Sequence, residues 1–175
     1  DRMGVLVQLL ILEHLVKNPV AWDIIGVFST QEEIGIRGAT VSTYSVEPDA
    51  AIVLEVTHAI DFPGISQEKF GETELGKGPS IAMGPNMHPR LTKHIIATAH
   101  KHDIPYQTRV IAGPAPNDAR QIQISKRGVA TALVAIPLRY MHTNIETISP
   151  IDLHFAFKLL VESIESLSPA FPLDL

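Results

Sequence analysis

The sequence predicts an α/β fold, a mixed and largely parallel sheet with helices on both faces. Three observations predict it. Apolar strand-like runs alternate with helix-like segments, the pattern of a sheet built through helical crossovers. The run Val129 to Ile136 is continuously apolar and carries β-branched residues, as a buried strand does. Hydrophobic residues make up 45% of 175, enough for one substantial core and too many for a disordered chain.

Taken in order, Arg2 to Lys17 reads as a helix with Leu6, Leu9, Leu10 and Leu15 toward the core, stopped by Asn18-Pro19. Trp22 to Phe28 reads as a buried strand that ends in the polar turn Ser29-Thr30-Gln31-Glu32-Glu33. Gly35 and Gly38 lead into a short helix ending near Ser45, and Ala50 to Glu55 is a second strand. From Asp61 to Pro89 the chain is rich in Gly and Pro, which predicts a long functional loop around a short strand. Leu91 to His102 is an amphipathic helix with Leu91, Ile95, Ile96 and Ala99 on one side. Tyr106 to Ile111 is a strand and Asp118 to Lys126 a short helix. After the strand at Val129 to Ile136, Ile151 to Leu167 forms the last helix, with Asp152 in its first turn and Phe155, Leu159, Leu160 and Ile164 inward.

Charge and composition exclude several functions. Lys plus Arg is 14 and Asp plus Glu is 19, a net charge of −5, so neither nucleic acid nor an anionic membrane is attracted. The longest apolar run, Val5 to Leu12, is far short of a membrane span. There is no cysteine, which excludes disulfides and thiolate metal sites and points to a reducing, cytoplasmic setting. The chain opens on Asp1 rather than Met, so the expectation is that the natural N-terminus lies upstream.

The chemistry is concentrated in carboxylates and one histidine. In an open α/β sheet, ligands collect beyond the carboxyl ends of the strands. Glu32 and Glu33 follow the first predicted strand, Glu55 closes the second, His142 follows the last, and Asp1 opens the first helix. Carboxylate oxygens and imidazole nitrogens suit zinc and similar divalent ions. In an adjacent Glu pair, one side chain can bind metal while the other accepts a proton from a water. Taken alone, such a pair in a turn is more often merely solvated.

Four segments together carry a family resemblance. Ser29 to Ala39 (Ser-Thr-Gln-Glu-Glu-Ile-Gly-Ile-Arg-Gly-Ala) is similar to the Gln-Glu-Glu-x-Gly-x-Arg-Gly-Ala motif of the M42 (glutamyl aminopeptidase-like) metallopeptidases. Asp1-Arg2-x-Gly4, Glu55 to Gly64 and Arg139 to Glu146 resemble three further motifs of that family, in its order. The resemblance implies a zinc-peptidase-like fold and a metal-dependent aminopeptidase that removes N-terminal residues from peptides. It implies two divalent ions, zinc or cobalt. Asp1 would bridge them, Glu33 and His142 would complete one ion's protein ligands, and Glu55 would bind the other. Glu32 would be the general base. It further implies that residues 1–175 are the C-terminal part of a catalytic domain. An upstream segment with a further histidine ligand, and an inserted dimerisation subdomain, would then be absent, and the parent protein would be a homo-oligomer.

The chain departs from the family pattern in two motifs. Glu55 stands where the family usually has Asp, and Pro116-Asn117-Asp118-Ala119 stands where it often has Gly-Thr-Asp-Ala. Two alternatives remain at this point. A glycosidase would need two carboxylates roughly 5–9.5 Å apart and no metal, and the aromatic content of 6% is low for stacking on sugars. The chain could also be a catalytically inert fragment of the peptidase. Among other residues, His88, His94, His100 and His102 read as a solvated face rather than a metal site, and His58 as shaping its loop. Gly76-Lys77-Gly78-Pro79 reads as a loop near the substrate, since it lacks the Ser/Thr and helix of a phosphate loop. Arg139 and Glu146 are expected to orient the His142 loop.

Overall fold

The structure, a computed structural model, describes residues 1–66 and 71–173. Residues 67–70 of the expected loop lie outside the described residues. Five helices and five strands are described: α1 (Arg2–Lys17), α2 (Arg37–Val46), β1 (Ala50–His58), β2 (Ser80–Met83), α3 (Pro89–Lys101), β3 (Gln107–Val110), α4 (Ala119–Ile122), β4 (Ala130–Arg139), β5 (Thr147–Ile148) and α5 (Pro150–Glu165).

The sheet runs in the order β1-β4-β2-β3, with β5 beside β4. β1 pairs with β4 in parallel over nine residues, and β2 pairs with β3 in parallel. β2 and β5 both run antiparallel to β4, so the sheet is mixed. β4 is buried from Ala130 to Leu138, which explains its unbroken apolar sequence: it has sheet neighbours on both sides and helices above and below. Its side chains alternate between two cores. Ala132, Val134 and Ile136 face α1, α3 and α5, where Val7, Leu91, Ile95 and Leu159 are almost wholly excluded from solvent. Leu133 faces a smaller core with Val53, Ala82, Met87 and Ala119. Each large side chain buried in this way contributes roughly 1.5–3 kcal/mol.

Local signals account for the starts of three helices. Asp1 caps α1 by accepting the Gly4 amide at 2.8 Å, and His88 Nδ1 accepts the Leu91 amide at the start of α3. Pro occupies the first turn of α3 and of α5, where a missing amide hydrogen costs nothing.

The structure corrects several expectations. α1 buries Gly4, Val7, Ile11 and Leu15, whereas Leu6, Leu9 and Leu10 are exposed. This helix is apolar nearly all round, so periodicity alone does not choose its inner face. No strand forms over Trp22 to Phe28. A strand needs a neighbour to accept and donate its backbone hydrogen bonds, and no described strand pairs with this segment. It is tethered instead by the Trp22 indole donating to the Leu167 carbonyl at 2.8 Å, and Ile25 stays 60% exposed. The helix expected over Asp118 to Lys126 shrinks to Ala119–Ile122. In α5, Phe155 and Ile164 are only partly buried, and Ala156, Val161 and the polar Asp152 and Ser163 lie inside.

Candidate active site

A cavity of about 1260 Å³ opens over one face of the sheet and the start of α1. Asp1, Glu32, Glu33, Glu55 and His142 all line it, together with Asp118 and Arg109. The five residues singled out from the sequence therefore share one cavity, although they come from four separate segments.

The Glu32-Glu33 turn is not placed by a strand end, as the sequence suggested. Its own backbone places it. The Glu32 carbonyl accepts the Gly35 and Ile36 amides at 3.1 and 3.0 Å, and the Thr30 carbonyl accepts the Gly38 amide at 2.9 Å. A Cβ on Gly38 would sit 2.4 Å from the backbone of Thr30, so the turn closes only on glycine. Gln31 and Ile36 adopt left-handed conformations within it. Such a turn is over-determined by its hydrogen bonds, and it presents both carboxylates on a rigid base.

His142 sits in a second unusual loop. Both Tyr140 and His142 have positive φ, near 60°. Glu146 Oε1 accepts the His142 amide at 2.8 Å, and the Thr143 hydroxyl donates to the Tyr140 carbonyl at 2.6 Å. Arg139, just before this loop, forms a two-pronged pair with Asp61 at 2.8 and 2.7 Å. Asp61 Oδ2 also accepts the Leu75 amide at 3.1 Å, so two parts of the connection between β1 and β2 are tied to the base of the His142 loop. The Arg139 guanidinium holds the Asp61 carboxyl below its ordinary range. Asp152, wholly buried, reinforces the same loop by accepting the Gly76 and Gly78 amides at 2.7 and 2.8 Å.

His142 Nε2 lies 2.9 Å from Glu33 Oε1. Both side chains are about two-thirds exposed, so this pair is worth little as a stabilising ion pair and its atoms remain accessible. Glu55 is placed differently. It lies on the cavity floor near the end of β1, and one of its oxygens, Oε2, is buried without a hydrogen-bond partner. Burial, then the charges of Glu32 and Asp118, push its carboxyl up to about 8, against a hydrogen bond from Asn117. Asp118 Oδ1 is buried and unpartnered as well, while the Ser29 hydroxyl donates to Asp118 Oδ2. Glu32 is also raised, by burial first and then by Glu33 and Asp118.

The chemistry of this donor set fits divalent cations. Two buried carboxylate oxygens lack a proton donor, several anionic groups repel one another, and an accessible imidazole stands beside Glu33. A cation would satisfy all three features. Among the described residues, no three or more His, Asp or Glu side chains converge as a ready ligand cage. Asp1 in particular turns back to cap α1.

Arg109 is a cavity residue that the sequence reading passed over. No sequence signal marks it: alternation over Gln107-Thr108-Arg109-Val110 would turn the more apolar Thr108 and Val110 inward, whereas the structure half-buries Gln107 and Arg109 and exposes Thr108 and Val110. Asp118 was recognised in its segment but not as a neighbour of Glu55. That proximity depends on α4 packing against β4.

Comparison with known proteins agrees with the motifs. The sequence profile described as M42 glutamyl aminopeptidase matches residues 1–159. The chain is similar to a lysyl aminopeptidase of Pyrococcus furiosus, 40% identical over 147 residues, covering 84% of this chain and 42% of the relative. Its structure resembles that of an aminopeptidase from Desulfurococcus kamchatkensis, with a TM-score of 0.84 and 35% identity over 98% of this chain and 48% of the other. It also resembles the TET1 peptidase of Pyrococcus horikoshii, described as assembling into a tetrahedron or a large octahedral shell (TM-score 0.76, 26% identity, 95% and 48% covered). The chain spans about half the length of these relatives. The profile match covers most of the chain and includes every motif that lines the cavity, and the chain belongs to the M42 glutamyl aminopeptidase family.

Proposed function

We propose that the protein is a metal-dependent aminopeptidase, with Asp1, Glu33, Glu55 and His142 holding two divalent ions, zinc or cobalt, and Glu32 acting as general base. The observation that carries this reading is the 2.9 Å approach of Glu33 to His142, which are 109 residues apart in sequence, over a floor where Glu55 has an unsatisfied oxygen. Bound ions would supply Lewis acidity toward the scissile carbonyl and acidify a water. Glu32, with its raised carboxyl and its fixed turn, accepts a proton from the attacking water and returns it to the leaving amine. The surrounding carboxylates favour the cationic N-terminus of a peptide over an internal segment, which directs hydrolysis to the chain end. Glu146 and the Arg139–Asp61 pair hold the His142 loop in its left-handed form. Assembly into a homo-oligomer is part of the same proposal, supported by the shells described for the horikoshii TET1 peptidase.

The test separates two neighbouring carboxylates in the full-length protein. Glu32→Gln is expected to lose about 10²- to 10⁴-fold in turnover of aminoacyl substrates with metal content retained. Glu33→Gln is expected to lose metal. Metal loss in the first variant with retention in the second would reverse the two roles. Peptide hydrolysis that survives exhaustive chelation would sink the reading altogether.

A further inference from the structure

We propose that Asp118 is a further residue of the candidate metal centre, contributing a carboxylate oxygen and a negative charge to the ion on the Glu55 side. This rests on the metal-dependent reading above and deepens it.

The argument begins with what burial leaves unsatisfied. Among the described residues, five buried side-chain atoms lack a hydrogen-bond partner, and only two of them are carboxylate oxygens, Glu55 Oε2 and Asp118 Oδ1. Both residues line the same cavity. The other three atoms belong to Thr92 and His102, in and at the end of α3, and to Ser163 in α5, and none of these residues lines the cavity. A buried carboxylate oxygen without a partner is costly, and a second carboxylate nearby adds repulsion. The charge of Asp118 acts on both Glu55 and Glu32, so it lies within electrostatic reach of each. A proton shared between Glu55 and Asp118, or a bound cation, would relieve the strain. One shared proton neutralises one charge and leaves Glu32 and Glu33 against the other, whereas a divalent ion neutralises two.

The surrounding hydrogen bonds hold Asp118 in place. Asn117, itself buried, donates a side-chain hydrogen bond to Glu55, and its own Oδ1 accepts the Ala119 amide at 3.2 Å. In the next residue, Asp118 Oδ2 accepts the Ser29 hydroxyl. Ser29 opens the turn that presents Glu32 and Glu33. One oxygen of Asp118 is thus anchored to that turn, and the other is left to accept. Asp1 differs, since its Oδ1 is engaged by the Gly4 amide. The two sides of the centre differ in donor chemistry as a result. His142 brings an imidazole nitrogen to the Glu33 side, and Asp118 adds a second carboxylate to the Glu55 side.

The experiment uses the full-length protein, with zinc competed against a chelator of known affinity and the bound ions counted per chain. Asp118→Asn is expected to weaken one of the two ions about 10- to 100-fold, the range for residues that support metal ligands. Ser29→Ala keeps the carboxylate and removes its anchor, and is expected to weaken the same ion by less. Thermal melts give a readout independent of turnover. In chelator-treated protein, Asp118→Asn removes a charge from beside Glu55 and is expected to melt at or above the wild type. With saturating zinc it is expected to melt below the wild type, which gains more from the bound ion. A role confined to bracing the fold would lower both melts and leave zinc affinity unchanged. A shared proton would leave affinity unchanged and keep the order of the melts the same with and without zinc. Either result would overturn the proposal. So would an equal loss of affinity in Glu32→Gln, since the effect would then be one of net cavity charge. A wild type that binds two ions and is matched by Asp118→Asn removes this proposal alone. A wild type that takes up no zinc removes the metal-dependent reading and this proposal with it.

Discussion

Replacing Asp152 with alanine tests how the cavity's flanking loop is held. Asp152 is wholly buried in the first turn of α5, and its two oxygens accept the amides of Gly76 and Gly78 at 2.7 and 2.8 Å. The Gly78 bond is buried, so losing its acceptor strands an amide at a cost of about 1–3 kcal/mol. The Gly76 bond is half-exposed, water replaces it in part, and its loss costs about 0.5–1.5 kcal/mol. Gly78 cannot relax far, since it has a φ of +91° and a Cβ there would lie 2.0 Å from the Pro105 carbonyl. Burial also penalises the Asp152 charge and raises its carboxyl, so deletion relieves some desolvation. The net expectation for Asp152→Ala is a loss of about 2–4 kcal/mol. Asp152→Asn keeps the volume and one acceptor but turns an NH₂ toward the other amide, and its loss falls below that of alanine. Because the folded pKa is raised, the wild-type contribution is fullest below the ordinary aspartate range and declines as pH rises through the raised value. The assay is urea unfolding, read as a lower midpoint at unchanged slope, with amide exchange of Gly76 and Gly78 as a local readout. An alanine variant within about 0.5 kcal/mol of wild type, or asparagine more harmful than alanine, would refute the reasoning.

Two further perturbations probe the carboxylates with opposite signs. Asp61 is held below its ordinary range chiefly by its hydrogen bonds to Arg139, so its contribution is present above the unfolded value and disappears as pH falls through the folded one. Asp61→Asn is expected to cost about 1–2 kcal/mol at pH 7, a charge-assisted pair discounted for partial solvent exposure, and almost nothing at strongly acid pH; a pH-independent loss in thermal melts would contradict this. Glu55 is pushed up to about 8, mainly by burial, so its contribution is present below the ordinary glutamate range and lost as pH rises through about 8. In chelator-treated protein, Glu55→Gln is therefore expected to melt above the wild type at pH 9 and to lose that advantage near pH 4, and a wild type more stable than the variant at pH 9 would contradict the burial argument.

What the sequence determined by itself was the family and most of the order of elements. Period-2 and period-3.6 patterns are local, so β1, β4, α3 and α5 were legible from their apolar spacing. The candidate residues that line the cavity could be singled out because four short motifs stand in order: the turn at Glu32 and Glu33 needs Gly38 against Thr30, wherever the rest of the chain lies. What only the tertiary structure decided depends on partners distant in sequence. The inner face of α1 is chosen by α5, which packs against Val7 and Ile11 rather than the equally apolar Leu6, Leu9 and Leu10. The run from Trp22 to Phe28 has strand composition and forms no strand, because hydrogen bonds to a neighbour are not encoded in a segment's own residues. The same reason hid Arg109. Its place on the sheet face that carries Glu55 follows from three strand pairings, and a register is a property of the sheet rather than of any one strand.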